Sequence, residues 1–390
     1  MFINFWYAAA LATQLTDKPF KRRMLGQNFV LFRDSQGVAH CLSNTCSHRG
    51  GSLADGKLQG DGVQCPYHGW RFAGDGRCTR IPSLGKDAAI PARTRIDSYP
   101  VEERYGIVFA FLGDLPAAER LPIMSIPEYG PTGPLEGWAA TVQYFEWNVD
   151  YKRSIENGID PAHNEFVHPT HGFSYQNEAT YRIKPLRLVE TKWGTGFFGD
   201  SEAPPLAEKQ MREASGRSGT GLIRGGTGHH GISSVWTFIN PTPTMHIYQY
   251  LFETPIDESH TSLYLVNLRN FLVEPEHDQR MKERNQYVAL QDRDMLLDLN
   301  PVLTPATPAH ELFLPADLCV GRYRQMVAEW ETRGWRIDTA VVARNRLKAA
   351  YAIPSPARRE SKGWVLEPIP LVPPSADKAK TAPVPITGSA

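Results

Sequence analysis

The sequence lacks the features that would assign it to a broad class by composition. It has no net charge, because 42 Lys and Arg balance 42 Asp and Glu, so a polyelectrolyte surface for nucleic acid or anionic lipid is not expected. No apolar run is long enough to span a bilayer, and the apolar start Met1–Tyr7 is too short for a secretory signal. We therefore expect a cytoplasmic protein with no nucleic-acid partner and no membrane.

Cysteine is also scarce, with five residues in a chain of 390. An odd number in a chain of this length argues against a secreted disulfide framework and favours metal ligation or reduced thiols. The length and the 41% of hydrophobic residues suffice for two domains with separate cores. Two of the five cysteines, Cys46 and Cys65, stand near histidines.

The chain shows two patterns of secondary structure. Short β-type runs separated by Gly and Asp fill residues 20–112, and residues 115–136 are rich in Pro and Gly. Later residues predict strands at 139–147, 181–190, 231–239, 244–253 and 261–271, and helices at 151–168, 276–299 and 318–333. We predict an α+β protein with domains at 1–115 and 135–366 and a Pro- and Ala-rich tail at 367–390.

The first pattern with chemical meaning is Cys46-x-His48, sixteen intervening residues, then Cys65-x-x-His68. Two loops that each offer one thiolate and one imidazole suit a [2Fe-2S] cluster with two Cys on one iron and two His on the other. A structural zinc site is the alternative, but there two cysteines usually precede two histidines. A further alternative is that these are ordinary buried cysteines and core histidines that bind no metal, which would require four residues to match the pattern by coincidence.

The second pattern contains His163 and His168 in the spacing N-x-x-D-x-x-H-x₄-H, which begins at Asn157. Two histidines and a carboxylate on one face of a metal, with open positions opposite, suit an Fe(II) that binds O₂ beside a substrate. Residues five apart on a helix differ by about 140°, so the two rings converge only if the helix ends or bulges between them. Two surface histidines on a polar helix are the alternative.

The third ligand requires a carboxylate elsewhere in the chain. Asp292 is the better candidate and Asp294 the fallback, because an acid inside an apolar stripe is costly unless it is paired or bound to metal. The residues one and two turns from Asp292 are all apolar, namely Val288, Met295, Leu296 and Leu299.

In its Cys-His pattern, its His163 and His168 pattern and its Asp292, the chain resembles the Rieske non-haem iron aromatic ring-hydroxylating oxygenases. Residues 40–80 resemble the Rieske domain without the extra loop cysteines of respiratory Rieske proteins. The layout from Trp6 to about Pro301 resembles the α₃ branch with phthalate-, vanillate- and carbazole-type oxygenases. The resemblance implies an N-terminal all-β Rieske domain followed by a helix-grip catalytic domain of antiparallel sheet plus helices.

The resemblance also implies roles for single residues. Asp160 would hydrogen-bond an iron-ligand His and, in a head-to-tail homotrimer, a cluster-ligand His of the next subunit, with His68 as its partner; a simple helix cap is the alternative. Asn157 would lie near the open iron position. The implied ligands are Cys46, His48, Cys65 and His68 for the cluster, and His163, His168 and Asp292 for the mononuclear Fe(II).

The implied activity is that of a terminal oxygenase. Electrons from NAD(P)H would reach the cluster through a reductase or ferredoxin, and O₂ would hydroxylate or demethylate an aromatic substrate. A non-catalytic Rieske electron carrier is the main alternative, and it leaves His163, His168 and Asp292 unexplained. An accessory protein with a decayed iron site is a weaker one.

The substrate pocket is expected among the strands at about 197–271. Five aromatic residues there are candidates for its wall, although alternating aromatics in strands are more often core. His229 and His230 stand in a Gly-rich stretch that suggests a loop, where they would be pocket contacts, part of a lid or simply exposed. The five aromatics are Trp236, Phe238, Tyr248, Tyr250 and Phe252.

Overall fold

The computed structural model describes residues 1–168, 181–183, 185–203, 221–305 and 308–374, with positions 205, 209, 212, 213, 217 and 219 between them. The chain divides into two compact units. The first contains Met1–Ile123, Thr254–Glu258 and the segment from Trp330 onward, and the second contains Met124–Glu253 and Ser259–Glu329. The domain bounds 1–115, 135–366 and 367–390 remain predictions. They differ from the two compact units, because the segment that begins at Trp330 belongs to the first unit.

The first unit is built from three small sheets. Their strand orders are β1-β11-β10, β2-β3-β4-β9 and β5-β6-β7-β8. Strand β11 is an uninterrupted apolar run that is buried at every position, as expected of a central strand covered on both faces. The strands are β1 Phe5–Leu11, β2 Phe20–Met24, β3 Gln27–Arg33, β4 Ala39–Ser43, β5 Lys57–Leu58, β6 Gly62–Gln64, β7 Arg71–Ala73, β8 Cys78–Arg80, β9 Ser98–Tyr99, β10 Val101–Arg104 and β11 Ile107–Leu112.

The second unit contains one large sheet of order β14-β20-β19-β18-β17-β16-β15. The registers from β15 to β19, and between β14 and β20, are antiparallel. A separate hairpin precedes the sheet, formed by β12 Tyr129–Gly130 and β13 Gly133–Pro134. The sheet strands are β14 Ala139–Trp147, β15 Leu188–Thr191, β16 Gly194–Ala203, β17 Gly221–His230, β18 Ser234–Thr242, β19 Met245–Pro255 and β20 Thr261–Arg269.

Among the described residues, the second unit has four α-helices and the last segment has two, with short 3₁₀ turns between some of them. In the second unit these are α1 Tyr151–Gly158, α2 Asn164–Val167, α3 Asp278–Leu297 and α4 Leu318–Glu331. The last segment adds α5 Thr339–Asn345, α6 Ala357–Glu360 and the parallel pair β21 Tyr351–Ala352 and β22 Glu367–Pro368. No helix in the described ranges has the length and apolar character of a bilayer span. The α+β prediction is confirmed.

Strands β16 and β17 of the large sheet were not predicted from the sequence. Strands β16 and β17 are rich in glycine, and the stretch ending at His229 and His230 was interpreted as a loop. It is a strand, and His229 is 2% exposed. Glycine suits these strands because the sheet packs closely there: a Cβ on Gly228 would lie 2.6 Å from the Cα of Gly196.

The last segment is anchored within the first unit by a buried carboxylate. Arg358 donates from Nε and Nη2 to the two oxygens of Asp97, each at 2.7 Å, and Ser355 donates from its backbone N at 3.1 Å. The main-chain oxygen of Asp97 accepts from Ser43 at the end of β4, three residues before Cys46. The segment therefore buttresses the strand that leads into the first Cys-His loop.

Candidate functional site

The two Cys-His loops of the first unit have the same local design. The N–H of Cys46 donates to Gly51 at 2.9 Å, and that of Cys65 donates to Trp70 at 2.8 Å, so each loop closes on its own cysteine. Gly50 and Gly69 adopt φ of +74° and +72°, a conformation that side chains disfavour. The turns therefore favour glycine at both positions.

The two cysteines and the two histidines of these loops differ in solvent exposure. Cys46 and Cys65 are each 2% exposed and lie in the hydrophobic core of this unit, whereas His48 and His68 are exposed, with ring centroids 4.4 Å apart. The two thiols neighbour each other, and burial raises the pKa of the Cys46 thiol to about 12. An isolated thiolate is disfavoured there, and iron would supply the missing positive charge.

This arrangement fits a two-iron cluster better than a single ion. Within the described ranges, the only group of three or more such donors that all lie within 4.8 Å is His163, His168 and Asp292. The donors of the two loops are therefore more widely spread than the ligands of one tetrahedral zinc. A pair of buried thiolates and a pair of outward imidazoles match the Cys₂ and His₂ ends of a [2Fe-2S] cluster.

The second constellation comes from three elements of the second unit. Helix α1 starts at an N-cap, where the Asp150 carboxylate accepts from the N–H of Lys152 at 3.1 Å, and it ends at Gly158. A turn leads to the short helix α2, which ends at Val167, so the helix predicted over 151–168 is broken at 159–163. His168 lies just beyond α2 with non-helical φ and ψ of −119° and 64°. The expected irregularity is present, because the helix ends between the two histidines.

The convergence is close. Nε2 of His168 lies 3.0 Å from Oδ1 of Asp292, and Nε2 of His163 lies 3.7 Å from the same oxygen. Both aspartates lie on α3, but the side chain of Asp292 is 17% exposed, whereas that of Asp294 is 63% exposed and pairs with Arg293. Two imidazoles and one carboxylate with a cavity in front are a donor set that fits Fe(II).

Second partners orient both rings. His163 donates from Nδ1 to the main-chain oxygen of Asp160 at 2.7 Å, and His168 donates from Nδ1 to Oε1 of Gln291 at 3.0 Å. These bonds leave both Nε2 lone pairs directed at the carboxylate, as metal ligation requires. Burial lowers the pKa of His168, but the hydrogen bond and charge of Asp292 outweigh it, and the net shift is upward.

Asn157 and Asp160 adjoin this group. Asn157 donates from Nδ2 to Oδ1 of Asp292 at 3.0 Å, so it contacts the carboxylate directly. The Asp160 side chain accepts from the N–H of Ala162 at 2.7 Å, which closes a turn before α2 and does not cap that helix, whose N-cap is His163; burial raises the pKa of Asp160. Sequence reasoning did not assign the orienting role of Gln291, although the residue stands beside Asp292.

A cavity of about 540 Å³ opens in front of these residues and is lined by His163, His168, Asn157 and Asp292. Of the five aromatic candidates for its wall, only Phe238 lines it. Side chains alternate along a strand, and the intervening residues of β18 and β19 face the cavity. These are Val235, Thr237, Ile239, Gln249 and Leu251.

Comparison with known proteins assigns both halves of the chain. Residues 5–100 match the family model for the Rieske [2Fe-2S] domain, and residues 147–333 match that for the vanillate O-demethylase oxygenase C-terminal domain. The chain belongs to the Rieske oxygenase family. The second match lies on the unit that holds His163, His168 and Asp292, which argues against a pure electron carrier.

Curated relatives of this Rieske oxygenase match over part of their length. The oxygenase component of chloroacetanilide N-alkylformylase from Rhizorhabdus wittichii is 36% identical over 185 residues, 47% of this chain and 50% of that protein. The oxygenase component of dicamba O-demethylase from Stenotrophomonas maltophilia is 34% identical over 166 residues, 42% of this chain and 47% of that protein. The matches thus span about half the length of these relatives.

Solved structures share the fold over most of both chains. Pseudomonas putida NdmA with caffeine superposes with a TM-score of 0.70 at 19% identity, covering 85% of this chain and 91% of that one. Apo dicamba monooxygenase gives a TM-score of 0.66 at 21% identity, covering 88% and 99%. The likeness shows the predicted succession of an all-β Rieske domain and a catalytic domain of antiparallel sheet plus helices.

Proposed function

We propose that this chain is the terminal oxygenase of a multicomponent Rieske system that hydroxylates or O- or N-demethylates an aromatic substrate. The observation that carries the proposal is the convergence of His163, His168 and Asp292 at the cavity, in a chain that also has a Rieske domain. An Fe(II) there would supply O₂ activation, using electrons that enter through the [2Fe-2S] cluster.

The chain's own residues would prepare the site for this chemistry. His163, His168 and Asp292 would bind the metal, with the two rings held by Asp160 and Gln291. Asn157 would hold the Asp292 carboxylate in place through its amide N–H. The aromatic and aliphatic cavity wall would bind a flat substrate and exclude bulk water from the reacting face.

For the cluster we propose Cys46, His48, Cys65 and His68 as ligands, with electrons from NAD(P)H delivered by a reductase or ferredoxin. The exposure of His48 and His68 supports electron exchange at this surface. A homotrimer in which Asp160 of one subunit approaches His68 of the next is the arrangement that the family resemblance implies. The five cysteines form no disulfide, which agrees with a reducing compartment such as the cytoplasm.

The test of the proposed activity is a single turnover of reduced, iron-replete protein under ¹⁸O₂ against aromatic acids, aryl ethers, aryl amines and polycyclic arenes. Two labelled oxygens in the product indicate a dioxygenase, and one label or released formaldehyde indicates a monooxygenase or demethylase. Absence of product from every compound, with no substrate-dependent oxidation of the cluster, would contradict the proposal.

Iron content provides an independent test of the two sites. We expect three iron atoms per chain, and two after His163→Ala, with the visible spectrum of the cluster retained because its ligands lie in separate loops. His277→Ala, a histidine outside the cavity, is the matched control and should keep three. A His163→Ala protein that loses the cluster spectrum as well would refute the assignment of two separate sites.

A further inference from the structure

Glu253 is a buried acid in the cavity wall that the proposed metal site does not use. It lies on β19, is 2% exposed and accepts a hydrogen bond at Oε1 from Ser154 Oγ at 3.0 Å. Its other oxygen, Oε2, is buried and has no hydrogen-bond partner among the described residues. Buried polar atoms are nearly always paired, so an unpaired carboxyl oxygen at a cavity indicates a place for a ligand donor.

The charges around the cavity select the kind of donor. Among the described lining residues four are acids, and Arg182 is the one Lys or Arg. Arg182 is exposed, so apart from the Fe(II) proposed at His163, His168 and Asp292, a carboxylate or sulfonate beside Glu253 would find no buried cation to compensate it. The four acids are Glu165, Asp200, Glu253 and Asp292.

The apolar part of the wall also suits a ligand that joins a cationic amine to an aromatic ring. Five Phe and Trp residues line the cavity, and their ring faces attract a positive charge while their edges pack against a second ring. Burial raises the pKa of Glu253 well above its usual range and so favours the neutral carboxyl, whereas a cationic ligand beside it would favour the ionised form. The five residues are Phe145, Trp147, Phe197, Phe198 and Phe238.

We propose that Glu253 is the polar anchor of the substrate and that this anchor selects an amine carried on an aromatic ring. The amine N–H would donate to Oε2, while the Ser154 hydroxyl holds Oε1 and so fixes the direction of the free oxygen. The inference rests on the proposed function in taking this cavity as the substrate site. It assigns Glu253 a binding role and does not make it part of the metal centre.

The test compares three probes of similar size on the metal-loaded protein at pH 7 by isothermal titration calorimetry. N-methylbenzylamine is cationic with N–H donors, benzyl methyl ether is neutral without a donor, and phenylacetate is anionic. We expect the amine to bind about tenfold more tightly than the ether, as for one charge-assisted hydrogen bond, and phenylacetate most weakly. Phenylacetate binding as tightly as the amine, or no binding of any probe, would overturn the inference.

Two variants distinguish a specific bond to Glu253 from a general effect of negative charge in the cavity wall. Glu253→Gln keeps the shape and should remove the preference for the amine while leaving ether affinity unchanged. Asp200→Asn also removes one negative charge from the cavity wall, but at a side chain that is 47% exposed, and it should change amine affinity less than about threefold. Equal effects of both variants on amine affinity would contradict a specific anchor.

If Glu253→Gln fails to fold, Ser154→Ala serves instead, because it frees Oε1 without removing the acid. It should weaken the amine and not the ether, and an unchanged amine affinity would overturn the inference. Calorimetric binding requires no turnover. A chain that forms labelled product under ¹⁸O₂ but does not prefer the amine therefore refutes the anchor alone, whereas amine binding without product refutes only the proposed activity.

Discussion

His168 is fixed at both of its ring nitrogens by two consecutive residues of one helix. Gln291 accepts from Nδ1 and Asp292 faces Nε2, each at 3.0 Å. Neighbours in a helix point about 100° apart, so the pair encloses the imidazole from two sides. The ring is only 3% exposed, which keeps water from competing for either nitrogen.

Substitution of the two aspartates of α3 tests the choice between them. Asp292→Ala should lower mononuclear iron occupancy strongly, because it removes the only carboxylate within reach of both rings among the described residues. Asp294→Ala should leave occupancy near the wild-type value, since this side chain is exposed and pairs with Arg293. Iron analysis of both variants decides; the reverse order would mean that Asp294 is the ligand.

His229 predicts a pH dependence of stability. Burial lowers its pKa to about 4, below the ordinary value of 6.5, so the folded protein holds the neutral ring while the unfolded chain binds a proton. The stabilisation is complete above pH 6.5 and is lost as the pH falls from 6.5 towards 4, in total by about 3 kcal/mol.

Urea unfolding at pH 7.5 and 5 measures this effect. Wild type should lose more stability on acidification than His229→Gln, in which no proton is taken up at this position. His260→Gln, at a less buried histidine, should behave like wild type. An equal pH response of wild type and His229→Gln would show that the ring is not held neutral.

At the scale of elements, buried ion pairs connect α1 to α4. Arg324 of α4 donates from Nε and Nη2 to the two oxygens of Glu156 at 2.7 and 2.6 Å. Glu156 and Arg153 both lie on α1. Arg153 pairs with Glu311 at 2.5 Å, and Arg324 pairs with the same Glu311 at 2.6 Å. Glu156 precedes Asn157 in the chain, so the network positions the helix that contacts Asp292.

Removing one cation from this network should be costly. Arg324→Gln leaves the 8% exposed Glu156 without its bidentate partner, and we expect a loss of about 3–5 kcal/mol in the free energy of unfolding. Arg344→Gln, at an exposed position of α5, should change it by less than about 0.5 kcal/mol. Similar unfolding midpoints for the two variants would mean that the network contributes little.

At the scale of the whole molecule, the zero net charge conceals an asymmetry between the two units. The first unit, counted up to Ala376, carries 23 Lys and Arg against 17 Asp and Glu, and the second carries 17 against 24. The Cys-His loops therefore belong to a basic unit and the cavity to an acidic one. The sequence total correctly excluded a uniformly charged molecule but did not reveal this division.

Asp160 tests the proposed path of electrons between subunits. Asp160→Ala should keep both metals, because His163 is held by the main-chain oxygen of residue 160 and not by its side chain. Reductase-driven product formation should nevertheless be lost, while reduction of the cluster by the reductase stays normal. Normal steady-state activity in this variant would reduce Asp160 to the turn-capping role that its bond to Ala162 shows.

The sequence by itself determined the α+β class and revealed both patterns from which the ligands are proposed, because these depend on local spacing. Two Cys-His loops and the apolar stripe around Asp292 can be recognised without tertiary contacts, and the expected end of the helix before His168 follows from helix geometry. The hydrogen bond from His163 Nδ1 to the main-chain oxygen of Asp160 is equally local, since the residues lie three apart, although the expected acceptor was the Asp160 side chain.

Only the tertiary structure decided which distant side chains meet. Glu253 and Ser154 are 99 residues apart, and Glu156 and Arg324 are 168 apart, so no periodic pattern relates them. The glycines of β16 and β17 suggest loops locally and become strands because neighbouring strands supply their hydrogen bonds. Which aromatics face the cavity likewise depends on sheet register, which long-range pairing sets.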